Sequence, residues 1–157
     1  MNLLLAPLFI FCVTLCTPYD DAQTALLQLL DSSQHQCLVA VYTINNPVLI
    51  NELVTLHARG VDTEVITDST QAAGKHEAEA INYLRSNQIP VFIGKSKYHQ
   101  IMHLKVCIID QEKIATGSYN WTESANRQDN TLTIEDNSAL AQQMTIYWNQ
   151  VKTDMGF

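Results

Sequence analysis

The sequence has little glycine, proline or cysteine, and these shortages exclude several classes of protein. Five glycines and four prolines in 157 residues are too few for a fibrous or low-complexity chain, whereas 46% hydrophobic residues suffice for one buried core. Four cysteines, at positions 12, 16, 37 and 107, form neither a CxxC motif nor a Cys/His ligand spacing. A zinc finger, a zinc ribbon and a disulfide-dense scaffold are therefore excluded.

Positive charge is also scarce. Nine Lys and Arg residues against 16 Asp and Glu residues give a formal net charge of −7, so the overall field repels nucleic acid and anionic lipid. A polyanionic substrate would need a local basic patch. Lys95 and Lys97, next to Tyr98, are candidates for binding phosphate, although the same residues fit a solvated loop equally well.

The N-terminal segment carries no charge at all. Residues Met1 to Cys16 contain an apolar stretch from Leu3 to Leu15 that Pro7 interrupts, and this stretch is too short to span a bilayer of about 30 Å comfortably. We expect residues 1–16 to be a signal peptide and residues 17–157 to be the domain of a periplasmic or secreted protein. Because the segment lacks a basic residue and a small residue before the expected cleavage site, an uncleaved membrane anchor and a buried first strand stay open as alternatives.

Hydrophobic periodicity predicts alternating helices and strands in one domain. Parallel strands joined by crossover helices indicate an α/β fold with a mixed central β-sheet flanked by helices. Cys37 and Cys107 lie in strand-like runs, where cysteine usually behaves as a small buried hydrophobe, and a bridge between them stays open. The predicted elements are a helix from Asp20, a strand over Cys37–Ile44, a helix over Pro47–Arg59, a strand over Val61–Thr67, a helix containing Ala80, Ile81 and Leu84, a strand over Val91–Ile93, a strand over Ile101–Asp110, a short strand at Ile114–Thr116, a strand over Leu132–Glu135 and a helix over Asn137–Val151.

The chemistry is concentrated in two short motifs. His103 and Lys105 lie two residues apart in HLKVCIID, so a strand would project an imidazole and a cation from the same face. Six residues after this run, GSYN offers the Ser118 hydroxyl and the Asn120 amide to bind non-bridging oxygens, and Gly117 allows a tight turn. An imidazole, a cation and neutral donors in one small volume are suited to a phosphate group.

Two aspartates accompany these motifs. Asp129 could hold one imidazole nitrogen of His103 and so fix the tautomer of the ring. Asp110 is seven residues from His103, which points it to the opposite face of a straight strand, so we expect a structural role for it. Neither motif brings a cluster of carboxylate, His or Cys ligands, and no metal or other cofactor is expected.

At these residues the sequence resembles the phospholipase D superfamily, whose signature is H-x-K-x4-D followed by G-S-x-N. From about Asp21 to Lys152 the order of elements is also similar to that of small secreted bacterial nucleases and of the mitochondrial endonuclease/cardiolipin hydrolase branch. The resemblance implies a metal-independent phosphodiesterase that acts through a phosphohistidine. It implies that His103 is the nucleophile or acid, that Lys105 and Asn120 bind phosphate, and that Ser118 supports them. The family often has Glu at the position of Asp129.

A single motif per chain has a consequence for assembly. In-line attack on phosphorus requires a nucleophile on one side and an acid on the other, and one histidine cannot supply both. We therefore expect a homodimer with a shared active site. The short chain and single motif favour nucleic acid as the substrate of an endonuclease. Phospholipid, including cardiolipin-like lipid, is the alternative substrate, and a non-catalytic nucleic-acid-binding module is the third hypothesis.

Overall fold

A seven-stranded mixed sheet, in the order β1-β7-β6-β5-β2-β3-β4, is the framework of the computed structural model, which describes residues 11–157. Strands β2, β3 and β4 are parallel to one another, and the others pair in antiparallel fashion. The strands are β1 Phe11–Thr17, β2 Gln36–Val41, β3 Asp62–Asp68, β4 Val91–Gly94, β5 Lys105–Ile109, β6 Lys113–Gly117 and β7 Asn130–Asp136.

The helices cover the two faces of the sheet unequally. Helices α1, α2 and α4 pack their apolar faces on one side, and α5 packs Ala141, Trp148 and Val151 on the other. None of the helices between residues 11 and 157 is long and apolar enough to cross a membrane. The helices are α1 Ala22–Asp31, α2 Pro47–Ala58, α3 Ser69–Ala72, α4 Lys75–Ser86 and α5 Ser138–Asp154, together with a 3-10 helix over Glu123–Arg127.

The parallel half of the sheet forms as its sequence predicts. Asn46 caps α2 by accepting a hydrogen bond from Val48 N at 3.0 Å, and Pro47 occupies the first turn, where its missing N–H is not needed. Gly60, with φ of 91°, lets the chain leave the helix and enter β3. The β2–α2–β3 unit is therefore a crossover with parallel strands, and the predicted mixed α/β fold is confirmed.

The strand that carries the first motif begins later than predicted. The pattern predicts a strand from Ile101, whereas β5 begins at Lys105, so His103 lies in the irregular segment before it. The reason is that Met102 N donates to the side chain of Asp68 at 2.8 Å instead of to a neighbouring strand. A side-chain acceptor thus replaces the expected backbone ladder.

The N-terminal segment contributes an edge strand. Residues 1–10 of the expected signal peptide lie outside the described residues, and Phe11–Thr17 pairs with β7 along its whole length as β1. Apart from Thr17, β1 is exposed or half-buried, so it is an edge strand and not the buried strand considered from the sequence. All four cysteines are free: Cys12 and Cys16 are exposed on β1, whereas Cys37 and Cys107 are buried.

Candidate active site

One cavity at the start of β5 brings together five of the residues in the sequence motifs. The residues that line it are His103, Lys105, Gly117, Ser118 and Asn120, and its volume is about 370 Å³. Lys105 is the first residue of β5 and Gly117 is the last residue of the antiparallel β6. Because an antiparallel strand ends beside the start of its neighbour, this pairing brings the two motifs together.

Lys105 is a buried cation with no acidic partner among the described residues. Only 7% of the residue is exposed, and Nζ donates a hydrogen bond of 2.8 Å to the backbone oxygen of His103. Among residues 11–157, no carboxylate oxygen lies within 4.0 Å of this Nζ atom. Burial lowers the pKa of Lys105, because desolvation disfavours the charged ammonium. Burial of an ammonium without a counter-charge is costly, and an anion that reached it would offset part of that cost.

His103 is exposed beside this ammonium and packs against an aromatic ring. Its imidazole meets the ring of Tyr42 edge-on, with 4.9 Å between the ring centroids and 63° between the planes. Lys105 Nζ lies 5.1 Å from the centroid of the same ring, within the range of a cation–π interaction. Tyr42 is therefore a site residue that the sequence patterns do not reveal. Its only signal is its place directly after the carboxyl end of β2, the strand that pairs with β5.

The second motif contributes an amide and a hydroxyl. Asn120 Oδ1 is buried and has no hydrogen-bond partner among residues 11–157. Ser118 Oγ donates to Asn130 Oδ1 at 3.1 Å and accepts from Thr131 N at 3.0 Å, which ties the loop to β7. Asn120 therefore lines the cavity with an amide oxygen that is unpaired among residues 11–157, whereas the Ser118 hydroxyl is already hydrogen-bonded to β7.

The loop that bears Asn120 is fixed at both ends. At Gly117 a Cβ atom would collide with the backbone oxygen of Thr131, so only glycine permits this close approach of β6 to β7. At the other end, Trp121 is 2% exposed and its backbone N–H donates to Thr43 O at 3.1 Å. Its backbone carbonyl accepts from the backbone N–H groups of Asn45 and Asn46. The position of Asn120 is thus set by the backbone on either side of it.

The remaining candidates lie away from this cavity. Asp129 is exposed, and within residues 11–157 it makes no hydrogen bond to His103. Asp110 lies beyond the far end of β5 and accepts hydrogen bonds from the N–H groups of residues 34, 35 and 36. Lys95 and Lys97 are exposed in the connection after β4, and only Lys97 reaches a groove that includes His103.

The arrangement matches the needs of phosphoryl transfer. An exposed imidazole nitrogen can attack phosphorus, and an ammonium with a neighbouring amide can stabilise the charge that develops on the phosphoryl oxygens. Over residues 11–157 no three His, Cys, Asp or Glu side chains form a group that could hold a metal ion.

Comparison with known proteins gives a matching family model and several similar relatives. The family model described as "Cardiolipin synthase, PLD-like domain" matches residues 26–152. The mitochondrial cardiolipin hydrolase of Xenopus tropicalis is 34% identical over 119 residues, which are 74% of this chain and 55% of that protein. A phospholipase D of Rickettsia bellii is 28% identical over 125 residues, which are 78% of this chain and 60% of that protein. This chain thus spans less than two thirds of these relatives.

Two solved structures share the fold over almost their full length. Nuc from Salmonella typhimurium, described as a phospholipase D family member, has a TM-score of 0.87 and 24% identity, with 92% of this chain and 95% of Nuc covered. NucT from Helicobacter pylori has a TM-score of 0.85 and 22% identity, with 94% and 99% covered. The family match over residues 26–152 includes both motifs and the strands that position them. This chain therefore belongs to the phospholipase D superfamily.

Proposed function

We propose that this chain is a metal-independent phosphodiesterase that cleaves nucleic acid as an endonuclease, through a phosphohistidine intermediate. The buried ammonium of Lys105 is the observation that carries the proposal, because it faces the same cavity as the exposed His103 and has no acidic partner among residues 11–157. A structural lysine at this depth would ordinarily be paired with a carboxylate. An unpaired one is suited to a phosphate that arrives with the substrate.

The proposed reaction has two steps. A nitrogen of His103 attacks phosphorus, a P–N bond forms as the bond to the leaving oxygen breaks, and the leaving oxygen takes a proton from a general acid. Water then attacks phosphorus and gives its proton to the group that acted as acid in the first step, the P–N bond breaks, and both His103 and the acid are regenerated. Lys105 and Asn120 stabilise the negative charge on the phosphoryl oxygens in both steps.

We further propose that two copies of the chain share one active site. The cavity contains one histidine, whereas the first step requires a nucleophile and an acid on opposite sides of phosphorus. His103 lies at an exposed mouth, so a two-fold axis beside it would place His103 of the partner subunit across the phosphate. In this arrangement, one histidine attacks and the other protonates the leaving oxygen.

Tagged heterodimers test the shared site. A dimer of one wild-type subunit and one His103→Ala subunit, purified with two different affinity tags, is expected to lose nearly all activity, because every site then lacks either the nucleophile or the acid. Half of the wild-type specific activity would show that each subunit works alone. Full activity of a protein that analytical ultracentrifugation shows to be a monomer would contradict the shared site in the same way.

A second candidate substrate is phospholipid, and one feature of the site favours it. A mostly apolar groove of about 500 Å³ adjoins His103 and is lined in part by Ile101, Leu104 and Tyr147. Apolar and aromatic walls of this kind can hold the glycerol and acyl portions of a lipid, and the cardiolipin hydrolase relatives point in the same direction. The phosphate chemistry at His103 would be the same with either substrate.

A direct assay separates the candidates. Purified protein is incubated in excess EDTA with supercoiled plasmid, single-stranded DNA and RNA, and cardiolipin vesicles, with His103→Ala as the control. We expect cleavage of nucleic acid that EDTA does not abolish. Lipid hydrolysis alone would make the phospholipid alternative correct, and binding of nucleic acid without cleavage of any substrate would favour the non-catalytic module. Activity that returns only with Mg²⁺ would contradict the metal-independent mechanism.

The cellular location is part of the proposal. We propose that the protein acts in the periplasm or outside the cell, on the basis of the uncharged segment that ends at Cys16. Cleavage after residue 16 would remove all of β1 except Thr17, leaving β7 as the edge of the sheet. Intact-mass analysis of protein purified from each cell fraction tests this. A chain that stays in the cytoplasm would contradict export, and recovery in the membrane fraction would favour the anchor.

A further inference from the structure

A buried carboxylate near the active site is linked by hydrogen bonds to the residue before His103 and to the ring against which His103 packs. Asp68 is the last residue of β3 and is fully buried. Its Oδ2 atom accepts a hydrogen bond of 2.8 Å from Met102 N, and its Oδ1 atom accepts from Thr70 N at 2.8 Å and Gln71 N at 3.4 Å. A helix cap accounts for the Oδ1 contacts, whereas the Oδ2 contact reaches a segment 34 residues further along the chain.

The first connection fixes the backbone next to His103. Met102 directly precedes His103, and both residues lie before β5, where the backbone ladder has not yet begun. The ladder between β2 and this segment starts at Leu104, whose carbonyl accepts from Tyr42 N at 2.8 Å. The Asp68 carboxylate therefore holds the backbone on the N-terminal side of His103, and the sheet holds it on the C-terminal side.

The second connection fixes the ring against which His103 packs. Gln71 belongs to α3, the short helix that Asp68 caps, and its Nε2 atom donates to the hydroxyl of Tyr42 at 2.7 Å. The Tyr42 ring contacts both the imidazole of His103 and the ammonium of Lys105. One carboxylate thus holds the peptide before His103 directly and the aromatic wall beside it through Gln71.

We propose that Asp68 is a positioning residue that sets the orientation of the His103 imidazole through Met102 N and through Gln71 and Tyr42. This inference rests on the proposed function of His103, but it concerns the geometry of the ring. Asp68 does not line the cavity and has no direct role with substrate. Misplacement of a reacting group by about 1 Å can lower a rate on the order of 10²-fold, so we expect the main effect on turnover.

Asp68→Asn is the central test, with Asp110→Asn as a matched control. Both aspartates accept three backbone N–H groups, but Asp110 does so beyond the far end of β5. With bis(p-nitrophenyl) phosphate as substrate, we expect Asp68→Asn to lower kcat roughly 10- to 100-fold with KM changed by less than about threefold. Asp110→Asn is expected to keep kcat within about twofold while it loses thermal stability. Equal kcat in the two variants would overturn the inference.

A second pair of variants keeps the test valid if Asp68→Asn does not fold. Tyr42→Phe retains the ring but loses the hydroxyl that Gln71 holds, and Tyr42→Leu loses the ring as well. We expect kcat to decrease in the order wild type, Tyr42→Phe, Tyr42→Leu. Wild-type kcat in both folded variants would contradict the second connection.

A spectroscopic measurement separates this inference from the proposed function. The ring carbon–proton signals of His103, assigned by their absence in His103→Gln, are recorded by NMR in each variant. We expect them to shift in Asp68→Asn and Tyr42→Phe but to stay unchanged in Asp110→Asn. Shifted signals in a protein without phosphodiesterase activity would contradict the proposed function alone. Unchanged signals in an active protein would contradict the positioning role alone.

Discussion

The two ends of β5 differ in how completely their polar groups are bonded. At the first end, the Lys105 ammonium has no carboxylate partner and Asn120 Oδ1 has no hydrogen bond among the described residues. At the other end, the Asp110 carboxylate accepts three backbone N–H groups at 2.7 to 2.9 Å. The first motif, HLKVCIID, supplies Lys105 at one end and Asp110 at the other. The comparison shows that polar groups without a partner among residues 11–157 lie at the first end, whereas the carboxylate at the second end is paired within the chain.

The pKa values of two acids, one near each end of β5, are shifted in opposite directions. Glu77, near the site end, is 3% exposed, and its Oε1 atom accepts from Ile44 N and Thr67 Oγ1. Burial raises the pKa of Glu77 to about 7, because its hydrogen bonds do not offset desolvation. Desolvation alone would raise the pKa of Asp110 too, but its backbone hydrogen bonds lower it below the usual value. Ionisation of the buried acid near the site is therefore disfavoured by desolvation, whereas ionisation of Asp110 is favoured by its hydrogen bonds.

The largest effect is expected from removing the imidazole at the open end. His103→Ala should lower activity on the order of 10⁴-fold or more, because no second histidine among the described residues lines the cavity to replace the nucleophile. The measurement is hydrolysis of bis(p-nitrophenyl) phosphate by folded protein. His76→Ala is the control, since this histidine is 84% exposed on α4. Residual activity within tenfold of wild type would remove His103 from the covalent step.

Lys105→Met is expected to separate activity from stability. Loss of the ammonium should lower kcat/KM on the order of 10²-fold, by analogy with loss of an oxyanion donor. The melting temperature should increase, because an unpaired buried charge is replaced by an apolar side chain of similar length. Lys152→Met is the matched control: its ammonium pairs with Glu64 at 2.8 Å, so stability should fall and activity should remain. If melting temperature and activity changed in the same direction in both variants, the predicted difference between the unpaired and the paired lysine would be wrong.

Glu77→Gln should stabilise the protein at alkaline pH. A folded-state pKa of about 7, above the ordinary 4.5, means that the contribution of Glu77 is fully present below about pH 4.5 and is lost as pH rises through 7. At pH 8 the variant should be more stable than wild type by up to about 3 kcal/mol, and at pH 4 the difference should vanish. Urea unfolding at the two pH values measures this. An equal difference at both would contradict the raised pKa.

Asp110→Asn should act with the opposite sign. Because the folded pKa of Asp110 is lowered, its contribution is present above the unfolded pKa near 3.8 and is lost as pH falls through the folded value. The variant should lose about 1 kcal/mol at pH 7 and show a shallower loss of stability during acid titration. An acid limb as steep as that of the wild type would show that Asp110 does not titrate in this range.

The smallest effect is expected from the two surface lysines. Lys97 lines the groove next to His103, and Lys95 does not. Lys97→Ala should raise KM for a polyanionic substrate by roughly two- to fivefold at low salt, and the difference should disappear at high salt. Lys95→Ala should leave KM unchanged. Equal effects of the two variants would indicate general charge attraction and no specific contact.

The sequence reveals the residues whose spacing is local. His103 and Lys105 are two positions apart, Gly117 to Asn120 form one turn, and the alternation of helices and strands follows from periodicity. The confirmed fold class and superfamily rest on these short-range signals. Parallel pairing of β2 with β3 is also predictable, since the helix between them is long enough for a crossover.

The sequence does not reveal residues that reach the site through the order of strands. Asp68 meets Met102 only because the carboxyl end of β3 lies near the start of β5, two strands away in the sheet. The contact also explains why Ile101–Leu104 is not a strand despite its alternating pattern. Tyr42 reads as one more apolar residue of a strand, although it contacts both motif residues. Such contacts depend on tertiary structure that periodicity does not encode.

Under the proposed function, ligand binding also stabilises the folded protein, because Lys105 has no acidic partner among residues 11–157. An anion that fits the cavity binds the native state and not the unfolded chain, so at 100 times its Kd it adds about 2.7 kcal/mol of stability. Melting temperatures of the wild type and of Lys105→Met, recorded with phosphate, nucleotide and lipid-headgroup anions, would rank these compounds by fit without any bond being broken. A search for the natural substrate can therefore begin with thermal-shift measurements, before any activity assay.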